Sequence, residues 1–324
     1  MENKAFNNVT KPETSTSSDN AAEILKAAFP DVKSVIFSGI EGSFAAIAAH
    51  RLFPEGEFSH AHSFKEAYEK VSDGTCDAAV LPIENSYAGE VGQVSDLMFG
   101  GDLQVRFIYE LNISQCLLGV PGGSIEEIRT VISHPQALEQ SAEFISAHNW
   151  ETQPYENTAR AAREVARRGD PQFAAVGSAE TAKLYDLTIL ARDINESSQN
   201  TTRFAVFVRP GEKEGRKDGA TVTLPEKETA IEEPQDNASS ENTILIFTIK
   251  HVAGSLAKAV TIIGMYDFNM RVIRSRPVKE KNWQYYFYTE LEGRVDTEDG
   301  KNMLKLLRTA CELIKVVGIY RPLK

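Results

Sequence analysis

The sequence predicts an α/β protein in two folded parts. Between Val32 and Val208, short apolar runs alternate with helical stretches, the pattern of βα units and parallel sheets. Between Thr243 and Lys324 the order reads strand, helix, strand, strand, helix, strand, which describes a ferredoxin-like βαββαβ unit. Residues 209–242 separate the two. They are dense in Glu, Lys, Pro, Asp and Ser, with Pro210, Pro225 and Pro234, and read as an acidic linker. A length of 324 residues accommodates two or three domains.

Residues 1–31 come first. The stretch to about Asn20 is rich in Asn, Ser, Thr and Lys and reads as a disordered tail, and Ala21–Phe29 reads as a short helix stopped by Pro30. Val32–Phe37 is a first buried strand, Ser38–Ser43 a glycine-containing turn and Phe44–Phe53 a helix whose first N–H groups favour an anion. Phe64–Ser72 is helical. Ala78–Ile83 is a second buried strand ending in Glu84-Asn85-Ser86-Tyr87-Ala88-Gly89, and a helix through Leu97 follows. Polar side chains at the carboxyl end of such a strand serve equally as helix caps or as ligands to a small molecule.

Leu103–Glu110 and Ile113–Val120 read as longer strands, and Ile128–Ile132 as another. Ser133-His134-Pro135 then opens a helix to about His148. Thr158–Arg168 is a helix, Ala174–Val176 a short strand, Ser178–Leu184 a helix and Ile189–Ile194 an extended segment. Together these elements predict two α/β lobes with a cleft between them. The last of them leads into Asn200-Thr201-Thr202-Arg203, where an amide, two hydroxyls and a guanidinium precede the apolar run Phe204–Val208. Donors at the lip of a buried strand suit a small anion.

In the linker, Ala220–Leu224 is a candidate edge strand. Beyond it, Thr243–Ile249, Met270–Ser275, Trp283–Glu290 and Lys315–Ile319 read as strands, and Gly254–Tyr266 and Glu298–Ile314 as helices.

A formal net charge of −11 argues against a nucleic-acid partner. No apolar run approaches the roughly 20 residues that span a bilayer, so no membrane role is expected. Cys76, Cys116 and Cys311 form no CxxC pair, which disfavours a disulfide framework or a zinc site. These features fit a cytoplasmic protein with reduced thiols. On a strand, His60 and His62 would share one face, but two imidazoles do not make a metal site. There is no Walker A loop, no complete GxGxxG and no GxSxG elbow. What is left is a set of neutral hydrogen-bonders and one arginine, suited to a carboxylate-bearing small molecule and a reaction needing little acid–base power.

Taken in order, the motifs resemble the prephenate dehydratase family with a C-terminal ACT regulatory domain. Gly39-Ile40-Glu41-Gly42-Ser43-Phe44 looks like that family's Gly-Pro-x-Gly-Thr-Phe turn. Pro82-Ile83-Glu84-Asn85-Ser86 with Gly89, Ser133-His134-Pro135-Gln136-Ala137-Leu138, and Asn200 with Thr202-Arg203-Phe204 match three further motifs, and Asn157-Thr158-Ala159 stands for Ser-Thr-Ala. Gly254-Ser255-Leu256-Ala257, Asn269 and Ser275-Arg276-Pro277 are similar to the effector region. Ile40, Ala45, Asn157 and Arg274 depart from the pattern, Arg274 by reversing the charge of the usual Glu. The 31 residues ahead of Val32 are too few for the chorismate mutase domain that often precedes this family's catalytic part.

The resemblance implies a periplasmic-binding-protein-like dehydratase domain at 32–208 and an ACT domain at 243–324. The implied reaction converts prephenate to phenylpyruvate with loss of CO₂ and water, with arogenate as the alternative substrate and a ligand sensor without catalysis as the alternative function. Aromatisation drives the reaction, so no cofactor is expected. Thr202 is the expected donor at the leaving hydroxyl. Asn85, Ser86, Thr158 and Asn200 would hold the substrate, and Glu84 would orient the Asn-Ser turn. Arg203, the second catalytic candidate, would either pair with a carboxylate or brace the cleft. L-phenylalanine is the expected effector, bound by Gly254, Ser255, Leu256, Ala257, Asn269, Ser275, Arg276 and Pro277 between subunits of a homodimer or homotetramer.

Overall fold

The structure, a computed structural model, describes residues 16–197, 199–211, 241–279 and 282–324. The expected tail before residue 16 and most of the linker, including its candidate strand at 220–224, lie outside the described residues. α1 (Thr16–Ala28) begins five residues ahead of the expected start at Ala21.

The first lobe builds from β1 (Ser34–Ser38), α2 (Phe44–Leu52), β2 (Glu57–Ala61), α3 (Phe64–Ser72), β3 (Ala78–Asn85), the short β4 (Gly89–Glu90), α4 (Gly92–Gly100) and β5 (Gln104–Asn112). Ser43 and Ser63 cap α2 and α3, each accepting from a backbone N–H in the first turn. Alternation along the strands divides the apolar residues between two cores. Val35, Phe37, Phe204 and Val206 face α1 and α2, whereas Ile36, Ala205 and Phe207 face α3 and α4. β2, whose pattern Glu-Phe-Ser-His-Ala is largely exposed, is foreshadowed only by the strand face suggested for His60 and His62, and it ends at Ala61, leaving His62 outside the strand.

The second lobe comprises β6 (Cys116–Gly119), β7 (Thr130–Ser133), α5 (Pro135–Glu139), α6 (Ala142–Ala147), β8 (Glu151–Pro154), α7 (Thr158–Arg168), β9 (Phe173–Gly177), α8 (Ala179–Leu184) and β10 (Thr188–Ala191). The single helix expected to His148 is broken at Gln140 and Ser141. The chain returns to the first lobe as β11 (Thr201–Val208), which takes in the polar residues before Phe204.

The expectation of parallel sheets is corrected. β1 pairs in parallel with β2 and β3, and β7 with β8 and β9. β11 lies antiparallel between β3 and β5, and β6 is antiparallel to β9 and β10. The two crossings impose this. β5 ends at the lobe junction and β11 starts there, so β11 must run back along it. The crossings are tied together, Ser114 Oγ to Asp193 at 2.6 Å and Ile113 N to the Asn200 carbonyl at 2.7 Å.

The C-terminal unit is β12 (Asn242–Ile249), α9 (Ser255–Met265), β13 (Met270–Pro277), β14 (Tyr285–Glu292), α10 (Glu298–Leu307) and β15 (Cys311–Leu323). α10 stops seven residues short of the expected Ile314, and β15 is correspondingly longer than the expected Lys315–Ile319. The strand order β13-β14-β12-β15 is ferredoxin-like. One sheet face packs on α9 and α10 through Leu245, Phe247, Ile263 and Leu307, and the other joins the first lobe's core through Ile246, Tyr286, Tyr288 and Val317.

Sequence reading showed no sign that the two sheets are continuous. Arg321–Leu323 of β15 pair in parallel with Phe107–Tyr109 of β5, giving a ten-stranded sheet. Gly318 permits the approach, since a Cβ there would lie 2.0 Å from the Val105 carbonyl oxygen.

Candidate active site

The polar residues at the ends of β3 and β11 meet at the lobe junction. β11 pairs with β3 so that Thr202 faces Asn85 and Arg203 faces Glu84, and the register then shifts, with Phe204 opposite Pro82. Ile83 is therefore a β-bulge. It places Asn85 on the face of Thr202 and Glu84 on the face of Arg203, an arrangement that uninterrupted alternation along β3 would reverse.

Asn85 is 8% exposed. Its Oδ1 accepts from the backbone N–H groups of Tyr87 (3.0 Å) and Ala88 (2.9 Å), and Gln136 Nε2 reaches it from the second lobe at 3.2 Å. Backbone donors cannot reverse, so they fix the amide's orientation. Asn85 Nδ2 consequently donates to Asn200 Oδ1 (2.8 Å) and Thr202 Oγ1 (2.9 Å), with the Thr201 carbonyl farther off at 3.3 Å. Asn200, also buried, passes the direction on through Nδ2 to Gln140 Oε1 at 3.0 Å. The result for Thr202 is specific. Its oxygen accepts from Asn85, and among the described residues nothing takes its hydroxyl hydrogen, which is left to donate.

Ser86 clasps the start of β11. Its N–H donates to the Thr201 carbonyl (2.8 Å), its Oγ donates to the Gln199 carbonyl (3.2 Å), and the same Oγ accepts from Thr201 N (3.0 Å). Thr158 is the first residue of α7, next to the cap Asn157, which accepts from Arg160 N at 2.7 Å. Asn157 thus performs the capping that a serine would. Among the described residues no hydrogen bond joins the Thr158 side chain to the Asn85 cluster.

Gln136 and Gln140 are the members of the cluster that sequence reading did not single out. Gln136 sits in a motif quoted above, one turn from Gln140. The break between α5 and α6 turns Gln140 toward Asn200, and no sequence signal marked that break. His134 caps α5 through Nδ1, which accepts from Gln136 N at 3.2 Å, and burial lowers its pKa, keeping that nitrogen an acceptor.

The turn before α2 closes against the second lobe. Thr181 Oγ1 donates to the Gly42 carbonyl (2.7 Å), Tyr185 Oη to the Glu41 carbonyl (3.1 Å), and Arg51 pairs with Glu180 (2.7 Å). Gly42 has φ +83°, and a Cβ there would stand 3.0 Å from Leu184.

On the opposite face of the β3–β11 pair lie charges. Arg203 donates to Glu84 Oε2 (3.0 Å), to both oxygens of Glu290 on β14 (2.9 and 2.7 Å) and to the Tyr320 hydroxyl (3.3 Å). Tyr288 and Tyr320 hydroxyls donate to Glu290 at 2.8 and 2.7 Å, and Arg274 on β13 pairs with the other oxygen of Glu84. Glu290 is 1% exposed. Burial alone would push its carboxyl up, but the hydrogen bonds and charge of Arg203, with the two tyrosines, hold it below the usual carboxylate range.

The residues expected to bind an effector lie in the C-terminal unit. Gly254 caps α9 with φ 81°, ahead of Ser255, Leu256 and Ala257. Asn269 donates to Glu292 at 3.0 Å. Ser275 and Pro277 are exposed on β13, which ends the ten-stranded sheet. Arg276 turns toward α4, where it pairs with Asp96 (3.0 Å) and Tyr286 Oη (3.1 Å) and lies over Gly92.

Two mixed sheets joined by two crossings, with neutral hydrogen-bonding side chains converging at the junction, define a two-lobed α/β protein with a polar cluster between its lobes. A family model described as prephenate dehydratase matches residues 35–212. The chain belongs to the prephenate dehydratase family. It is 30% identical over 295 residues to arogenate dehydratase/prephenate dehydratase 2 of Arabidopsis thaliana, covering 88% of this chain and 72% of that one. It is likewise 30% identical to the bifunctional chorismate mutase/prephenate dehydratase of Enterobacter agglomerans, covering 88% and 70%. Among solved structures, GqqA, described as a novel type of quorum quenching acylase, is 26% identical with TM-score 0.75 over 90% of this chain and 98% of its own. The prephenate dehydratase of Arthrobacter aurescens, solved in complex with L-Phe, shares the fold at 23% identity and TM-score 0.75, covering 89% of each chain.

Proposed function

We propose that the chain is a carbon–oxygen lyase that converts prephenate to phenylpyruvate, and that L-phenylalanine restrains it. The observation that carries this reading is the Thr202 hydroxyl, held as an acceptor by Asn85 and left with its hydrogen to give. In the reaction the bond from the ring to its carboxylate breaks and CO₂ departs. That electron pair completes the aromatic ring and expels the ring hydroxyl, which takes up a proton from solvent to leave as water. Thr202 donates a hydrogen bond to that oxygen as charge develops on it, a task for an aimed donor. The family's drive comes from aromatisation, so the residues need chiefly to position the substrate.

Asn85, Ser86, Asn200 and Thr158 hold the substrate's polar groups in this reading. Gln136 and Gln140 join them by fixing the two asparagine amides. Glu84 and Arg203, on the far face of the strand pair, brace it. For the effector we propose L-phenylalanine at Gly254–Ala257, Asn269 and Ser275–Pro277. Support comes from the ferredoxin-like unit and from the L-Phe complex of the Arthrobacter aurescens relative. The open edge at β13, with Ile273 exposed, supports self-association of this unit as a dimer or tetramer. Three free cysteines fit a reducing, cytoplasmic setting.

The test is turnover of prephenate and of arogenate side by side, with and without L-phenylalanine, following phenylpyruvate absorbance and phenylalanine release. Product from prephenate supports the reading, and product from arogenate alone reassigns the substrate. No product from either leaves a ligand sensor, and an acyl-amide substrate run alongside addresses the acylase relative. A flat response to millimolar phenylalanine removes the feedback part.

A further inference from the structure

We propose that Glu290, on the C-terminal unit, is a positioning residue of the dehydratase site, holding Arg203 and so the strand pair on which Asn85 and Thr202 face each other. The inference rests on the functional reading above and adds a residue and an element to it. The bulge at Ile83 makes β3 and β11 a plate with two working faces. One face carries Asn85 and Thr202. The other carries Glu84 and Arg203, and the C-terminal unit grips both, Arg203 through Glu290 and Glu84 through Arg274. Two cations and two carboxylates thus close a balanced quartet, with the Tyr288 and Tyr320 hydroxyls filling the remaining acceptor positions of Glu290.

Stability alone gives little reason for such a quartet. Buried ion pairs are often replaced by apolar side chains at no loss, and their best-attested use is to fix register. Register is what this site needs. The Asn85 to Thr202 hydrogen bond exists only while Thr202 stands opposite Asn85, and Arg203–Glu84 is the next rung of the same ladder. Guanidinium and carboxylate meet through two parallel hydrogen bonds, the geometry that constrains orientation most. Positioning errors of about 1 Å cost on the order of 10²-fold in rate.

The experiment uses the full chain with Glu290→Gln, which keeps the shape and removes the charge. The expected result is a kcat lowered by roughly 10- to 10²-fold with KM little changed, together with faster amide hydrogen exchange across 201–208 and unaltered exchange in β6–β10. The charge swap Arg203→Glu with Glu290→Arg is expected to recover part of the lost kcat. A variant with wild-type kcat but a lower melting temperature overturns the proposal, because Glu290 would then serve stability alone. Should Glu290→Gln not fold, Tyr320→Phe removes one of its donors and is read the same way. If the wild type turns over neither prephenate nor arogenate, the functional reading fails separately. Hydrogen exchange then decides the positioning role, and unchanged exchange across 201–208 overturns it.

Discussion

Asn85 donates a side-chain amide hydrogen bond to Thr202 Oγ1, 2.9 Å away on the neighbouring strand, and this sets which way the Thr202 hydroxyl points. The direction originates in the backbone N–H groups of Tyr87 and Ala88, which hold the Asn85 carbonyl oxygen. A turn of main chain therefore decides the chemistry of a side chain on another strand.

Thr202→Ala removes the donor and is expected to lower kcat by on the order of 10²–10³, with a smaller change in KM. Thr202→Ser keeps the hydroxyl and is expected to retain most of the activity. Steady-state kinetics on prephenate checks both, and full turnover by the alanine variant would remove Thr202 from its assigned role.

Asn85→Asp tests the direction of the hydrogen bond. A carboxylate still accepts from Tyr87 and Ala88 but cannot donate to Thr202, so the hydroxyl turns to donate to Asp instead. A loss of kcat comparable to that of Thr202→Ala is expected, with KM raised by the added negative charge facing an anionic substrate. Kinetics of the two single variants and the double variant form the check, and additive losses would count against this account.

Acid should loosen the grip of the C-terminal unit. The folded carboxyl of Glu290 lies below its unfolded value of about 4.3. Its contribution is therefore complete above that pH and is lost as pH falls through the folded value. The groups facing it are Arg203, Tyr288 and Tyr320, with Glu84 one contact away. Arginine and tyrosine do not titrate in that range. Urea unfolding of wild type and Glu290→Gln between pH 3 and pH 7, as a range spanning the carboxylate values of about 4, should show a smaller acid loss in the variant.

Lys315 makes a prediction of the same sign at high pH, though from the opposite cause, a charge that burial disfavours. It is largely buried on β15, where burial pushes its pKa down to about 8, although its ammonium donates to the Phe99 and Gly101 carbonyls. Between that value and about 10.4, the ordinary lysine value, the unfolded chain binds the extra proton, so stability rises with pH. Lys315→Met is expected to flatten that rise in denaturant titrations at pH values from about 7 to about 10.

Gly318→Ala tests the continuity of the ten-stranded sheet. A methyl group would collide with the Val105 backbone, which cannot rotate aside as a side chain can. Destabilisation of about 1–3 kcal/mol is expected by thermal or urea unfolding, with the C-terminal strand showing the fastest hydrogen exchange.

Much of this was legible along the chain. Whereas the caps at Ser43, Ser63 and Ser178 were seen only in the structure, the buried strands, most of the helices and the βαββαβ order follow from local patterning. So do the residue types of the site, because an amide, hydroxyls and a guanidinium at strand ends announce themselves by composition. The sequence by itself determined which groups would be present and that Thr202 would be among them. Tertiary structure alone decided their partners. The bulge at Ile83 sorted Asn85 and Glu84 onto opposite faces, the break at Gln140 brought a second-lobe amide to Asn200, and β14 delivered Glu290 to Arg203 across 87 residues of chain. The physical reason is that pattern reports which way a side chain points relative to its own strand. A one-residue register shift, or a partner supplied by a distant strand, leaves no trace in local periodicity.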